Sequence, residues 1–284
     1  MCELIYYSSH VMARSYRFFV TDVKKFETDV TLSGSVEPDV VEQLGKVLRA
    51  KVGDQVVLLP VAAADSGGAD GVADAASSDL AADSGRSNDA QKRFEYVYEV
   101  ASAHKKGVEL KFVKKVENRN ELDFGLELVL CFPNKPDKLS LILQKAVELG
   151  ATRLTLVNGD FSQMKHGLRE ERLAKIVKEA AEQAERATVP EVVVGGALRE
   201  FLGEAADGLL VAMERAENQS LPEILKSREN YENISILVGP EGGFSDEEKA
   251  LVQELNLPCF SLGKRVLRME TAAIVSLGMA AMLR

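Results

Sequence analysis

The sequence predicts an α/β chain in two parts, a small β-rich unit followed by a larger unit built on a mainly parallel sheet. Up to about residue 118 the chain reads as short strands around one helix, and from about residue 122 apolar strands alternate with helical segments. Its size agrees: 284 residues, 46% of them hydrophobic, suffice for roughly two domains with substantial cores.

In the first part, residues 16–20 (YRFFV), 28–32 (TDVTL) and 53–60 (GDQVVLLP) have the β-branched and aromatic character of strands. Residues 38–49 spell one helix, because Val41, Leu44 and Leu48 share a face. Residues 93–100 (RFEYVYEV) and 108–113 (VELKFV) alternate at period two. Many short strands with a single helix predict a small β-barrel. Residues 61–91 interrupt it: 25 of these 31 positions are Ala, Asp, Ser or Gly, too little apolar surface to offset the entropy of ordering, which predicts a mobile insertion.

In the second part, residues 126–132, 153–157, 208–212, 234–238 and 259–262 read as strands. Helices are expected over 138–149, closed by Gly150, and over 170–187, stopped before Pro190. Further helices are expected from Ser245 and over 271–283. The last of these (TAAIVSLGMAAML) has no charged residue and no polar face. A helix apolar all round requires cover on every side, which predicts a homodimer with this helix at its interface.

Composition excludes several functions. No apolar run approaches the ~20 residues of a membrane span, and the N-terminus has no signal-peptide pattern. Three cysteines form no CxxC pair and predict no disulfide framework, so the chain reads as cytoplasmic. Three scattered histidines offer no metal-ligand spacing, and no metal is expected. The net charge is −9, of which residues 61–91 supply five, so a nucleic-acid partner would need a local basic patch.

Two stretches carry chemistry. The first, GPEGGFSDEE over 239–248, leaves a strand and enters a helix whose start is fixed by a Ser245/Glu248 capping box. Its glycines permit a ligand to lie on the backbone at the carboxyl edge of a parallel sheet, yet it is neither a Walker A loop nor GxGxxG. The second, LGKRVLRMETA over 262–272, again joins a strand to a helix and carries Lys264, Arg265 and Arg268 against one acid, Glu270.

Together these stretches closely resemble the RsmE family of 16S ribosomal RNA uridine-N3 methyltransferases, of the SPOUT superfamily. The resemblance extends through RFF at 17–19, KVLR at 46–49 with VGD at 52–54, QKAVELG at 144–150, EAAEQAER at 179–186 and VPEV at 189–192. It implies an α/β SPOUT trefoil-knot domain over 122–284 and a PUA-like β-barrel, an RNA-binding module, over 13–118. Residues 1–12 are then an N-terminal extension, with Met12 a possible start. It also implies S-adenosylmethionine as cofactor, and 16S rRNA of the small ribosomal subunit as partner.

Carried onto this chain, the resemblance places the cofactor against Leu210, Ala212 and Glu214 on a first loop. On the second loop it selects Val238, Gly239, Pro240, Glu241, Gly242 and Gly243. On the third it selects Leu262, Gly263, Val266, Leu267, Arg268, Thr271 and Ala272. Arg268 is expected to meet negative charge developing on the uracil carbonyls, and Glu270 either to orient Arg268, to accept the proton, or to sit in a helix's first turn. RNA contacts are expected from Arg17, Lys46, Arg49, Gln183 and Arg186, although Arg186 also lies four residues after Glu182 and can pair with it. Lys145 and Glu148 read equally as an exposed helical pair. The chain departs from the family pattern at Ala184 and Met269, and at Gly159-Asp-Phe-Ser162, where an arginine is expected. Rival readings are a methyltransferase of another rRNA or tRNA position, and a ribosome-assembly protein without activity.

Overall fold

The computed structural model describes residues 15–21, 23, 25–61, 93–104, 107–164, 168–204, 208–214, 220–227 and 232–283. The proposed extension at 1–12 and all but the first residue of the acidic insertion lie outside the described residues. The chain divides into two compact units, Met1–Arg119 and Asn120–Arg284.

The first unit holds β1 (Ser15–Val20), β2 (Val30–Ser33), α1 (Pro38–Glu42), β3 (Gln55–Pro60), β4 (Phe94–His104) and β5 (Gly107–Glu117). They form one sheet ordered β1-β3-β4-β5-β2, antiparallel except for the β1–β3 pair. Register shifts at Val97/Tyr98 and Val100/Ser102 mark bulges, which bend the long β4–β5 pair. Phe18, Leu32, Val40, Leu44, Leu58, Tyr98 and Leu110 form the core between sheet and helix. Tyr98 keeps its hydroxyl satisfied by donating to the Phe26 carbonyl. The predicted helix over 38–49 differs from what forms. α1 ends at Glu42 and runs on as a wide π-helical turn, Gln43–Val47, with Arg49 at φ +50°. Gly45 weakens the α-helix here, while Leu44 and Leu48 still reach the core.

The second unit holds β6 (Gly125–Cys131), α2 (Pro136–Glu148), β7 (Arg153–Asn158), α3 (Glu170–Gln183), β8 (Glu191–Ala197) and α4 (Leu198–Gly203). There follow β9 (Leu209–Ala212), α5 (Leu221–Lys226), β10 (Asn233–Val238), α6 (Asp246–Glu254), β11 (Cys259–Phe260) and α7 (Met269–Leu283). The six strands make one parallel sheet, ordered β11-β9-β10-β6-β7-β8. Its central strands are mostly apolar because both faces are covered; the interior exceptions, Glu127, Thr155 and Ser235, satisfy one another, the two hydroxyls donating to the carboxylate at 2.6 Å. α7 packs on β6 and β10 beside α2 and α5, and α4 packs with α6. Cys131 is buried in β6, and burial pushes its thiol pKa up, as expected of an inert core thiol.

Three elements were not predicted: β8, whose EVVVGGA run ends in two glycines, and the six-residue helices α4 and α5. The expectation for 170–187 is corrected at its end. α3 stops at Gln183 because Glu185 turns at φ +55°, so Arg186 leaves the helix and does not pair with Glu182. α7 forms as read, beginning two residues earlier at Met269: within one chain its stripe of Met269, Ala273, Ser276, Leu277 and Ala280 is buried, while Met282 is 80% exposed.

Candidate active site

The carboxyl ends of β9, β10 and β11 release three loops that enclose a cavity of about 690 Å³. Open parallel sheets bind ligands at this edge. Four glycines, Gly239, Gly242, Gly243 and Gly263, are among the residues that line it.

The loop after β10 is held from several directions. A Cβ on Gly239 would come within 2.9 Å of the buried Phe244 ring, and one on Gly242 within 2.9 Å of Phe161 Cβ, so neither position accepts a side chain. Gly243 adopts φ +75° and donates its N–H to the Pro240 carbonyl at 2.9 Å. Ser245 then caps α6: its hydroxyl accepts from Glu248 N–H at 3.1 Å, and Ser245 N–H donates to Glu248 Oε2 at 2.8 Å. The other Glu248 oxygen accepts from Asp160 N–H at 2.8 Å, which ties the turn after β7 to the start of α6. Asp160 itself accepts from the Ser245 hydroxyl and Arg199, each at 2.5 Å, and these bonds hold its carboxyl below the ordinary range. Burial opposes the charge of Glu241. The Lys138 ammonium at 2.7 Å and Asn134 N–H outweigh it, so this carboxyl also lies below its ordinary value.

The loop after β11 is different. Ser261 and Gly263 exchange hydrogen bonds at 3.1 and 3.2 Å, and Gly263 turns at φ +107°. Lys264, Arg265 and Arg268 are exposed, and none forms an ion pair among the described residues. Glu270 stands in the first turn of α7, where the helix dipole favours its charge, with Oε2 buried and without a hydrogen-bond partner.

The cavity brings together most of the expected cofactor residues. Ala212, Glu214, Val238, Gly239, Pro240 and Glu241 line it, as do Gly242, Gly243, Leu262, Gly263, Val266, Leu267, Arg268 and Ala272. Leu210 and Thr271 do not; Leu210 is fully buried in β9, beneath the loop it was expected to serve. Glu270 is likewise absent from the wall. Lys138, Met213, Lys249 and Phe260 line the cavity without having been predicted; Lys138 and Glu241 are 103 residues apart, a distance at which sequence spacing gives no signal.

Two expected RNA contacts are corrected. Arg186 is 2% exposed, paired with Glu121 at 2.7 Å and donating to the carbonyls of Val147 and Ala151, so it cannot face RNA. Arg17 has its guanidinium engaged with Glu95 and is largely covered. Arg49 and Gln183 are exposed, and Lys46 is exposed in a surface pair with Glu42 at 3.0 Å. Lys145 and Glu148 form the helical pair, at 2.7 Å. Among the described residues no group of three His, Cys, Asp or Glu could hold a metal, and no helix is long and apolar enough to cross a membrane.

A family model described as an RNA methyltransferase domain matches residues 120–281. The ribosomal RNA small subunit methyltransferase E of Synechocystis sp. is 30% identical over 274 residues, covering 95% of this chain and 78% of the relative. Its counterpart from Bacillus subtilis is 32% identical over 200 residues, covering 66% of this chain and 77% of the relative. The crystal structure of a ribosomal RNA small subunit methyltransferase E from Neisseria gonorrhoeae, bound to S-adenosyl methionine, shares the fold. It has a TM-score of 0.72 at 24% identity and covers 93% of this chain and 95% of that one.

Proposed function

Because the chain belongs to the RNA methyltransferases called ribosomal RNA small subunit methyltransferase E, we propose that it methylates N3 of one uridine in 16S ribosomal RNA, using S-adenosylmethionine. The observation that carries this reading is a cavity at the carboxyl edge of the sheet, lined by Gly239, Gly242, Gly243 and Gly263 among others and by Arg268, which forms no ion pair among the described residues.

The residues present fit that cofactor. About 690 Å³ lies within the roughly 300–1,000 Å³ of small-molecule sites. Gly239 and Gly242 leave the backbone bare where an adenosine edge would need main-chain partners. Ala212, Val238, Pro240, Gly243, Leu262, Gly263, Val266, Leu267 and Ala272 would supply small or apolar contacts, and Glu214 a carboxylate facing a cationic ligand. When bound, S-adenosylmethionine supplies an electrophilic methyl carbon. Arg268 would stabilise negative charge on the uracil carbonyls as the N3 proton leaves. Glu270 forms no ion pair with Arg268 and does not line the cavity, so its position favours the third reading, a carboxylate in the first turn of α7. The loops would add rate chiefly by holding the reactants in line.

The remaining parts follow the same reading. The bulged five-stranded sheet would close as a PUA-like barrel over 13–118, with Lys46 and Arg49 on phosphates. Residues 122–284 would form the SPOUT domain with its trefoil knot. The exposed apolar side of α7 supports a homodimer, working in the cytoplasm on the small subunit.

The test is incubation of the full-length protein and S-adenosylmethionine with small subunits from a strain lacking the methyl group, followed by mass mapping of 16S rRNA. One new methyl on one uridine is expected. Methyl transfer to another base or RNA would move the substrate assignment, and no transfer would refute the proposal.

A further inference from the structure

Phe161 is the only aromatic residue among those described with about half its surface in solvent, at 51%; every other described Phe and Tyr is buried or largely covered. An isolated exposed apolar side chain is ordinary on a protein surface. This one is placed unusually. Its Cβ lies against Gly242, within 2.9 Å of where a Cβ would stand, and Gly242 is part of the cavity wall. The ring is therefore next to the rim of the cavity without filling it.

The turn that carries the ring is fixed. Ser162 N–H donates to the Gly159 carbonyl at 2.9 Å and the Ser162 hydroxyl accepts from Gly159 N–H at 3.1 Å. Between them, Asp160 is bonded to Glu248, Ser245 and Arg199. The neighbouring carboxylates do not repel a polyanion as free charges would. Asp160 is paired with Arg199, which also lies 3.9 Å from the exposed Glu247; Glu241 is paired with Lys138, and Glu248 is buried in the cap. A rigidly mounted aromatic face with its nearby charges neutralised is the arrangement on which unpaired bases stack.

We propose that the Phe161 ring is a stacking platform for an unpaired nucleobase of the RNA substrate, next to the nucleotide that enters the cavity. This rests on the methyltransferase reading above. The competing role is mechanical, the side chain merely bracing Gly242, and leucine separates the two because it keeps the contact and removes the π-face.

The experiment compares the full-length protein with F161L and F161W, measuring S-adenosylmethionine affinity by calorimetry and steady-state methylation of methyl-deficient small subunits. F161L is expected to raise KM for the subunit about tenfold, with cofactor affinity and kcat unchanged. F161W is expected to keep KM within about twofold. Since the chain contains no tryptophan, F161W also provides a single tryptophan, excited selectively over the six tyrosines at the red edge, whose emission is expected to be quenched saturably by subunits and not by the cofactor alone. F161L with wild-type KM overturns the platform. So does a loss of cofactor affinity that accounts for the whole loss of kcat/KM, which would leave bracing as the role. A wild-type protein that transfers no methyl group to the subunit brings down the methyltransferase reading itself, and the platform with it.

Discussion

Arg186 and Arg268 belong to the same unit and look alike in sequence, each an arginine beside a helix end in a motif of the family. Their surroundings are opposite. Arg186 is buried, its guanidinium forked onto Glu121 and its remaining donors directed at the Val147 and Ala151 carbonyls. Arg268 is exposed, with no ion pair among the described residues. A guanidinium whose donors are satisfied by its own chain holds segments together, whereas one left unpaired at a cavity rim is available to a ligand. The difference separates a guanidinium committed to the fold from one that the proposed reaction could use.

The strongest way to break this comparison is Arg186→Ala. Removing one partner leaves the largely covered Glu121 carboxylate without its counter-charge, a loss of roughly 3–5 kcal/mol of stability. Denaturant unfolding of the variant checks it; an unchanged midpoint would mean that the pair is not structural. The same pair predicts a pH dependence. Burial raises the Glu121 pKa, but Arg186 and the Ala187 and Thr188 N–H groups outweigh burial and hold it below the ordinary 4.5. A lowered folded-state value gives stability that is complete above 4.5 and is lost as pH falls through that folded value, so acid unfolding is expected to be shallower in E121Q.

Arg268→Ala is the next largest effect, and of the other kind. A fall of about 100- to 1,000-fold in kcat is expected, as for loss of one charge-stabilising donor. The unfolding midpoint is expected to stay near wild type. A normal rate would remove Arg268 from the mechanism. Lys264→Ala and Arg265→Ala sharpen the contrast within the same loop. If these exposed cations meet RNA phosphates, each variant is expected to reduce the dependence of log K on log salt for RNA binding by about one, without affecting folding. An unaltered slope would assign them to the surface alone.

What was legible in the sequence was local. The Ser245/Glu248 cap, the Gly150 helix end and the strand–loop–helix run around 239–248 each involve neighbours within a few residues, and each forms as read. The cavity was legible as two motifs, though not as a wall. What could not be read depends on distant partners: Glu121 fixing Arg186 across 65 positions, Lys138 reaching Glu241, and Asp160 binding Ser245 across 85. The same limit applies to β8, whose pairing with β7 decides that EVVVGGA is extended, and to the placing of β10 between β9 and β6.

That last placement governs the order in which the molecule can come into being. As the chain is synthesised, β6 to β9 emerge first, and one edge each of β6 and β9 stays open until residues 233–238 arrive to bridge them. The catalytic end of the sheet is thus completed by the final fifth of the polypeptide. Nascent chains must keep three strand edges, one on β6 and both on β9, from pairing wrongly in the meantime, which makes late closure the step most exposed to aggregation.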